Sequence, residues 1–154
     1  MNVSLAQVGR GLLAGFVATI VLSILMLMKN AMGLMPNLDI IAMLSTMMNS
    51  SAAMAWVAHF MIGTVVWGGL FALVGRALPG GTYLLKGIVL GIGAWLLMMI
   101  MIMPMAGAGV FGLRLGMAAP VMTLVLHIIF GAVLGATYGA LEGSQPRKVP
   151  ARSH

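Results

Sequence analysis

Arg10-Gly11-Leu12-Leu13-Ala14-Gly15-Phe16-Val17-Ala18 opens an apolar run, and Lys86-Gly87-Ile88-Val89-Leu90-Gly91-Ile92-Gly93-Ala94 opens another 76 residues later. The cation, two glycines and the closing alanine fall in the same positions. A second alignment, at an offset of 68, sets Met54, His59 and Gly63 on Met122, His127 and Gly131. Self-similarity at fixed offsets is the mark of a repeated supersecondary unit. The spacing predicts two copies of one hairpin, the second with a loop eight residues shorter.

Each unit is too apolar for water. The 154 residues are 62% hydrophobic and only 6% charged, against about a quarter charged in soluble domains. Mean hydropathy is +1.12. A helix needs roughly 20 apolar residues to cross a bilayer core. Residues 11–28, 52–75, 87–105 and 118–141 meet that need, and none contains Asp, Glu, Lys or Arg. The expected fold is therefore all-α: an integral membrane four-helix bundle made of two tandem two-helix repeats. It forms a single domain over residues 1–143, with helices at about 10–29, 52–75, 86–105 and 118–141, and a disordered basic tail over 144–154.

The formal charge of +6 reads as topology rather than as a nucleic-acid footprint. Arg10, Arg76, Lys86, Arg147, Lys148 and Arg152 fall at the N-terminus, second loop and tail, whereas Lys29 and Arg114 fall in the first and third loops. The positive-inside rule puts both termini of this multi-pass chain in the cytoplasm. The lipid bilayer is the first partner implied, and the tail can also touch anionic lipid. Because a two-helix unit has even parity, the copies share one orientation, related by a pseudo-two-fold axis along the membrane normal. The first helix, as counterpart of the third, is read as retained rather than cleaved as a signal peptide.

In the first loop, residues 36–51 carry apolar side chains at helical spacing and predict a short interfacial helix on the outer face. Gly107-Ala108-Gly109-Val110-Phe111-Gly112 matches the dinucleotide fingerprint in letters, but that motif needs a preceding strand. Here it follows a membrane helix and reads as a connection. The two carboxylates, Asp39 and Glu142, fall on opposite sides, so paired acid-base catalysis is not available. With no cysteine there is no thiol nucleophile, thiolate site or disulfide. No catalytic residue is assigned.

His59 and His127 are the polar exception. An ionisable ring inside a membrane segment is a functional-site hypothesis by default. Both lie roughly seven to nine residues past the outer start of their helices, about 10 to 14 Å deep at 1.5 Å per residue. Each has a glycine four residues on, Gly63 and Gly131. A divalent metal usually recruits a third protein ligand, which is lacking at this depth, whereas axial ligation of haem needs only two imidazoles. The glycines leave room for a porphyrin, Trp56, Phe60 and the outer methionines form walls, and Lys29 and Arg114 face the propionates. On His59, His127, Gly63 and Gly131 the chain resembles the four-helix membrane cytochromes b. That resemblance implies one haem b, bound for electron transfer or within a larger membrane redox complex. Alternatively the imidazoles bond to Ser23, Thr64, Thr123 or each other and fix helix packing.

Two further readings stay open. Gly11/Gly15, Gly87/Gly91 and Gly131/Gly135/Gly139 line single helix faces and permit close backbone contact, fitting a non-catalytic accessory or assembly subunit. Seventeen methionines include the pairs Met28/Met32, Met43/Met47 and Met101/Met105, and thioethers suit Cu(I). With the glycine helix that follows, Met101 and Met105 resemble the methionine motif of high-affinity copper transporters, implying copper or small-solute transport. Four helices give little room for a gated path, so transport would require a homo-oligomer. Over most of its length the chain is also similar to small uncharacterised bacterial inner-membrane proteins with paired glycine-rich helices.

Overall fold

In the computed structural model residues 3–143 are described; the tail expected over 144–154, with its lipid contact, lies outside them. Four helices among these residues are long and apolar enough to cross a membrane: α1 (Leu5–Ala31), α3 (Ala52–Val74), α4 (Tyr83–Met105) and α5 (Ala119–Gly143). The short helix α2 (Ile40–Met47) follows α1, and a 3-10 turn (Val110–Leu115) precedes α5. The chain is thus a small all-α membrane protein.

The helices outrun the apolar cores because polar residues cap them. Ser4 Oγ accepts from the Gln7 amide while Gln7 Oε1 accepts from the Ser4 amide, a reciprocal cap that starts α1 ahead of Arg10. Ser51 and Thr82 each accept an amide N–H three residues on, starting α3 and α4. Asp39 Oδ1 accepts from Ile41 and Ala42 and begins α2.

Close backbone packing runs from α3 to α1, from α1 to α5 and from α5 to α4. The hairpin contacts are glycine contacts. A Cβ on Gly15 would stand 2.6 Å from Gly63 O and 2.8 Å from Gly68 Cα, and one on Gly87 2.7 Å from Gly135 N. Real side chains do not tolerate such separations, so only glycine lets these backbones meet. In α3 the seam glycines Gly63 and Gly68 are five residues apart, whereas Gly131 and Gly135 in α5 are four apart. The spacing of five keeps one face because Ile62–Gly68 is a π-helical turn, with i to i+5 bonding. A second π-helical turn, Met98–Ile102, lies in α4.

Two ends of the bundle differ. At one, Glu142 bonds Arg10 and, at 3.3 Å, Arg76, while Lys86 Nζ donates to Arg76 O at 3.1 Å. Hydrogen bonds to Tyr83 and Glu142 hold the Arg76 guanidinium still more firmly in its charged form. Just inside, Phe71 of α3 meets Tyr83 of α4 and Tyr138 of α5 edge-on, joining α3 to the α4–α5 hairpin. At the other end the first loop folds inward. Leu38 is buried against Met99, Met103 and Ala108, beneath the connection that carries the glycine-rich motif. That connection is a left-handed turn, with positive φ at Gly107, Gly109, Phe111 and Gly112, and not a phosphate loop.

Candidate functional site

His59 and His127 are half-buried, each in register with buried small residues of its helix. In α3 the buried Ala55 and Gly63 stand four residues either side of His59; in α5 the buried Thr123 and Gly131 stand four either side of His127. The two imidazoles are held differently. His127 Nδ1 is 2.8 Å from Thr123 O, and since a carbonyl only accepts, Nδ1 carries the proton and the neutral ring keeps its lone pair at Nε2. Thr123 is itself fixed: its hydroxyl reaches Ala119 O and Pro120 O, and Trp95 Nε1 donates to it across the α4–α5 interface at 3.2 Å. His59 is braced by rings instead, with Trp56 and Phe60 meeting it edge-on at 5.7 and 5.9 Å. Its Nε2 is buried and has no hydrogen-bond partner among the described residues.

An unpartnered buried nitrogen costs on the order of 1–3 kcal/mol. In a native fold such an atom calls for an explanation, of which an unseen ligand is one. Ser23 Oγ and Thr64 Oγ1, expected as partners for the histidines, are likewise buried without a bond. Thr19 lies opposite Gly63, so Ser23 and His59, one turn farther from the Glu142 end on their respective helices, share a level. The expected side-chain bonding therefore gives way, among the described residues, to a backbone bond at His127 and an open nitrogen at His59.

The other residues read as haem contacts have different neighbours. A Cβ on Gly63 would collide with Thr19 Oγ1, which donates to Gly15 O at 2.7 Å, and one on Gly131 would collide with Gly87 O. The space expected beside these glycines for a porphyrin is taken by the partner helix of each hairpin. Lys29 is buried, and its ammonium donates to Leu34 O, Met35 O and Leu38 O at 3.1, 3.3 and 2.7 Å. It closes the first loop rather than facing an acidic group. Arg114 donates to Gly107 O within its own turn. Of the residues read as haem contacts, His59 keeps an unbonded Nε2 and His127 bonds through Nδ1 alone, whereas the glycines and Lys29 are already engaged within the fold.

The copper pair fares differently from its buried neighbours. Met101 and Met105 are exposed on the bundle's outside, while Met99 and Met103, two residues before each, are buried. No cluster of three or more His, Asp, Glu or Cys with metal-ligand placement occurs among the described residues. The glycine faces considered for docking a partner are used within the chain's own hairpins. Sequence reasoning missed an open cavity of about 470 Å³ between α1, α2 and α3 at the Leu38 end. Asp39, Asn30 and Trp56 line it, and only the folding of α2 against α3 brings them together.

No curated protein and no solved structure matches the chain. A family model matches residues 5–149, nearly the whole of it. The chain belongs to the family described as a family of unknown function, DUF6789.

Proposed function

We propose that this small membrane protein holds one b-type haem on His59 and His127 and serves electron transfer within a larger membrane redox complex. The observation that carries this reading is the state of the two Nε2 atoms: one is buried without a partner, and the other is left free by the Nδ1 bond to Thr123 O. A backbone acceptor for the second ring nitrogen is the usual support of a metal-binding imidazole, because it fixes the tautomer and the ring plane. When bound, haem supplies one-electron chemistry at its iron. This chain's residues orient the two rings: Thr123 sets His127, and Trp56 and Phe60 set His59. We further read the chain as a duplicated hairpin with both termini cytoplasmic in a bacterial inner membrane. The corresponding glycine contacts of the two hairpins support the duplication.

Absorbance tests the haem. Protein purified in detergent after expression with haem supplied is expected to give a reduced-minus-oxidised b-type spectrum at up to one haem per chain. His59→Ala or His127→Ala should each abolish it or leave a weakly bound, high-spin form, whereas Met101→Leu plus Met105→Leu should not change it. Colourless protein that also fails reconstitution with added haem would overturn the proposal.

A further inference from the structure

The cavity at the Leu38 end has a lining that is part polar and part apolar. Asp39 brings a carboxylate; of its two oxygens, Oδ1 accepts the amides of Ile41 and Ala42. Ser45 and Thr46 also line it, and both donate their hydroxyl protons inward, to Ser50 O at 2.6 Å and Ala42 O at 2.9 Å. What their oxygens offer outward is therefore lone pairs. Asn30 adds a side-chain amide from α1. Among the described residues Asp39 forms no ion pair, and Lys29, the nearest lysine along the chain, sets its ammonium on the carbonyls of Leu34, Met35 and Leu38. Trp56 forms a wall from α3, and aromatic faces favour cations. Met26, Leu27, Ile41, Ala42 and Ala52 make the remainder apolar.

We propose that this cavity, between the end of α1, the helix α2 and the start of α3, is a binding site for a primary ammonium group bearing a short apolar chain. A donor-only cation matches an acceptor-rich lining, the carboxylate sets the sign, and about 470 Å³ lies within the usual range of roughly 300–1,000 Å³ for small-molecule sites. Quaternary ammonium ions, which have no N–H to donate, fit less well. The same chemistry can arrive as a free amine or as the ethanolamine headgroup of a phospholipid. The site does not depend on haem.

The test is a titration of the full chain in phosphatidylglycerol nanodiscs with butylammonium chloride, at ionic strength held constant with sodium chloride. Tryptophan fluorescence should change saturably, and Trp56→Phe should remove that change. Asp39→Asn keeps a good helix cap, so α2 should stay folded by circular dichroism while affinity falls about tenfold, the loss of one partly desolvated charge contact. Tetramethylammonium should bind more weakly than butylammonium. If the occupant is a lipid, the butylammonium response should vanish in phosphatidylethanolamine nanodiscs; if it is a free amine, the response should persist there. A non-saturable response, or one that Asp39→Asn leaves unchanged, would overturn the proposal.

Discussion

Gly87→Leu is expected to prevent the α4–α5 hairpin from assembling, while Gly93→Ala, farther along the same helix, should leave it intact. Even a methyl group at Gly87 would overlap Gly131 O and stand 2.7 and 2.8 Å from the nitrogen and Cα of Gly135. All three are backbone atoms of a helix, so no rotamer change makes space. Overpacking in a soluble core typically costs about 1–3 kcal/mol where side chains can shift. With backbone on both sides the loss should exceed about 3 kcal/mol, comparable to a small domain's margin of about 5–15 kcal/mol. Gly93 has no atom within 4 Å of a built Cβ, and alanine there gains about 0.5–1 kcal/mol of helix stability. Thermal aggregation followed by size-exclusion chromatography in detergent separates the two variants. Equal melting of both would mean that the glycine seam does not hold the hairpin.

The second large effect is expected at Lys29. Replacement by methionine keeps the length of the chain but removes three donors to Leu34 O, Met35 O and Leu38 O. Hydrogen bonds from a charged donor are worth about 1.5–3 kcal/mol each, and carbonyls left dry and unpaired are penalised again. A destabilisation of about 3 kcal/mol or more is expected, centred on the first loop. Hydrogen exchange should show it locally. Amides from residue 34 to 43 should open faster as Leu38 leaves its seat on Met99 and Met103, while the core at the other end, where Ala14, Ala18, Phe71 and Ala72 pack, stays protected. Unchanged exchange in the loop would show that the lysine is dispensable to it.

How far the sequence carries can be judged residue by residue. Runs of apolar residues without charge are enough to locate α1, α3, α4 and α5, because a bilayer imposes length and composition on whatever crosses it. The capping residues Ser4, Thr82 and Asp39 extend or start helices beyond those runs, and their hydroxyls and carboxylate were visible as letters. Glycine periodicity shows which face of α1 or α5 is small, but not what lies on it. Gly63 and Gly131 read equally well as room for a porphyrin or as room for a helix, and only the folded chain puts Thr19 against one and Gly87 against the other. Lys29 is similar. A lysine at the end of a membrane helix suggests a water-facing charge, and nothing local reveals that the chain turns back to bring three carbonyls to it. The cavity around Asp39 is built from α1, α2 and α3 together, so no single stretch of sequence contains it.

The π-helical turn at Ile62–Gly68 bears on chain length. Beyond it the alignment of the two hairpins moves from 68 to 67, which sets Gly68 on Gly135 and Phe71 on Tyr138, the two rings that touch near the Glu142 end. Relative to α5, α3 carries one more residue between its seam glycines, absorbed by local widening, with both glycines still facing α1. That makes the segment a place where a related chain can lose a residue without rotating everything downstream: the helix would revert to ordinary winding and present the same seam. Elsewhere in α3, a single insertion or deletion would turn the following residues by about 100°, one residue's share of a turn of 3.6, and carry Phe71 away from both of its tyrosine partners.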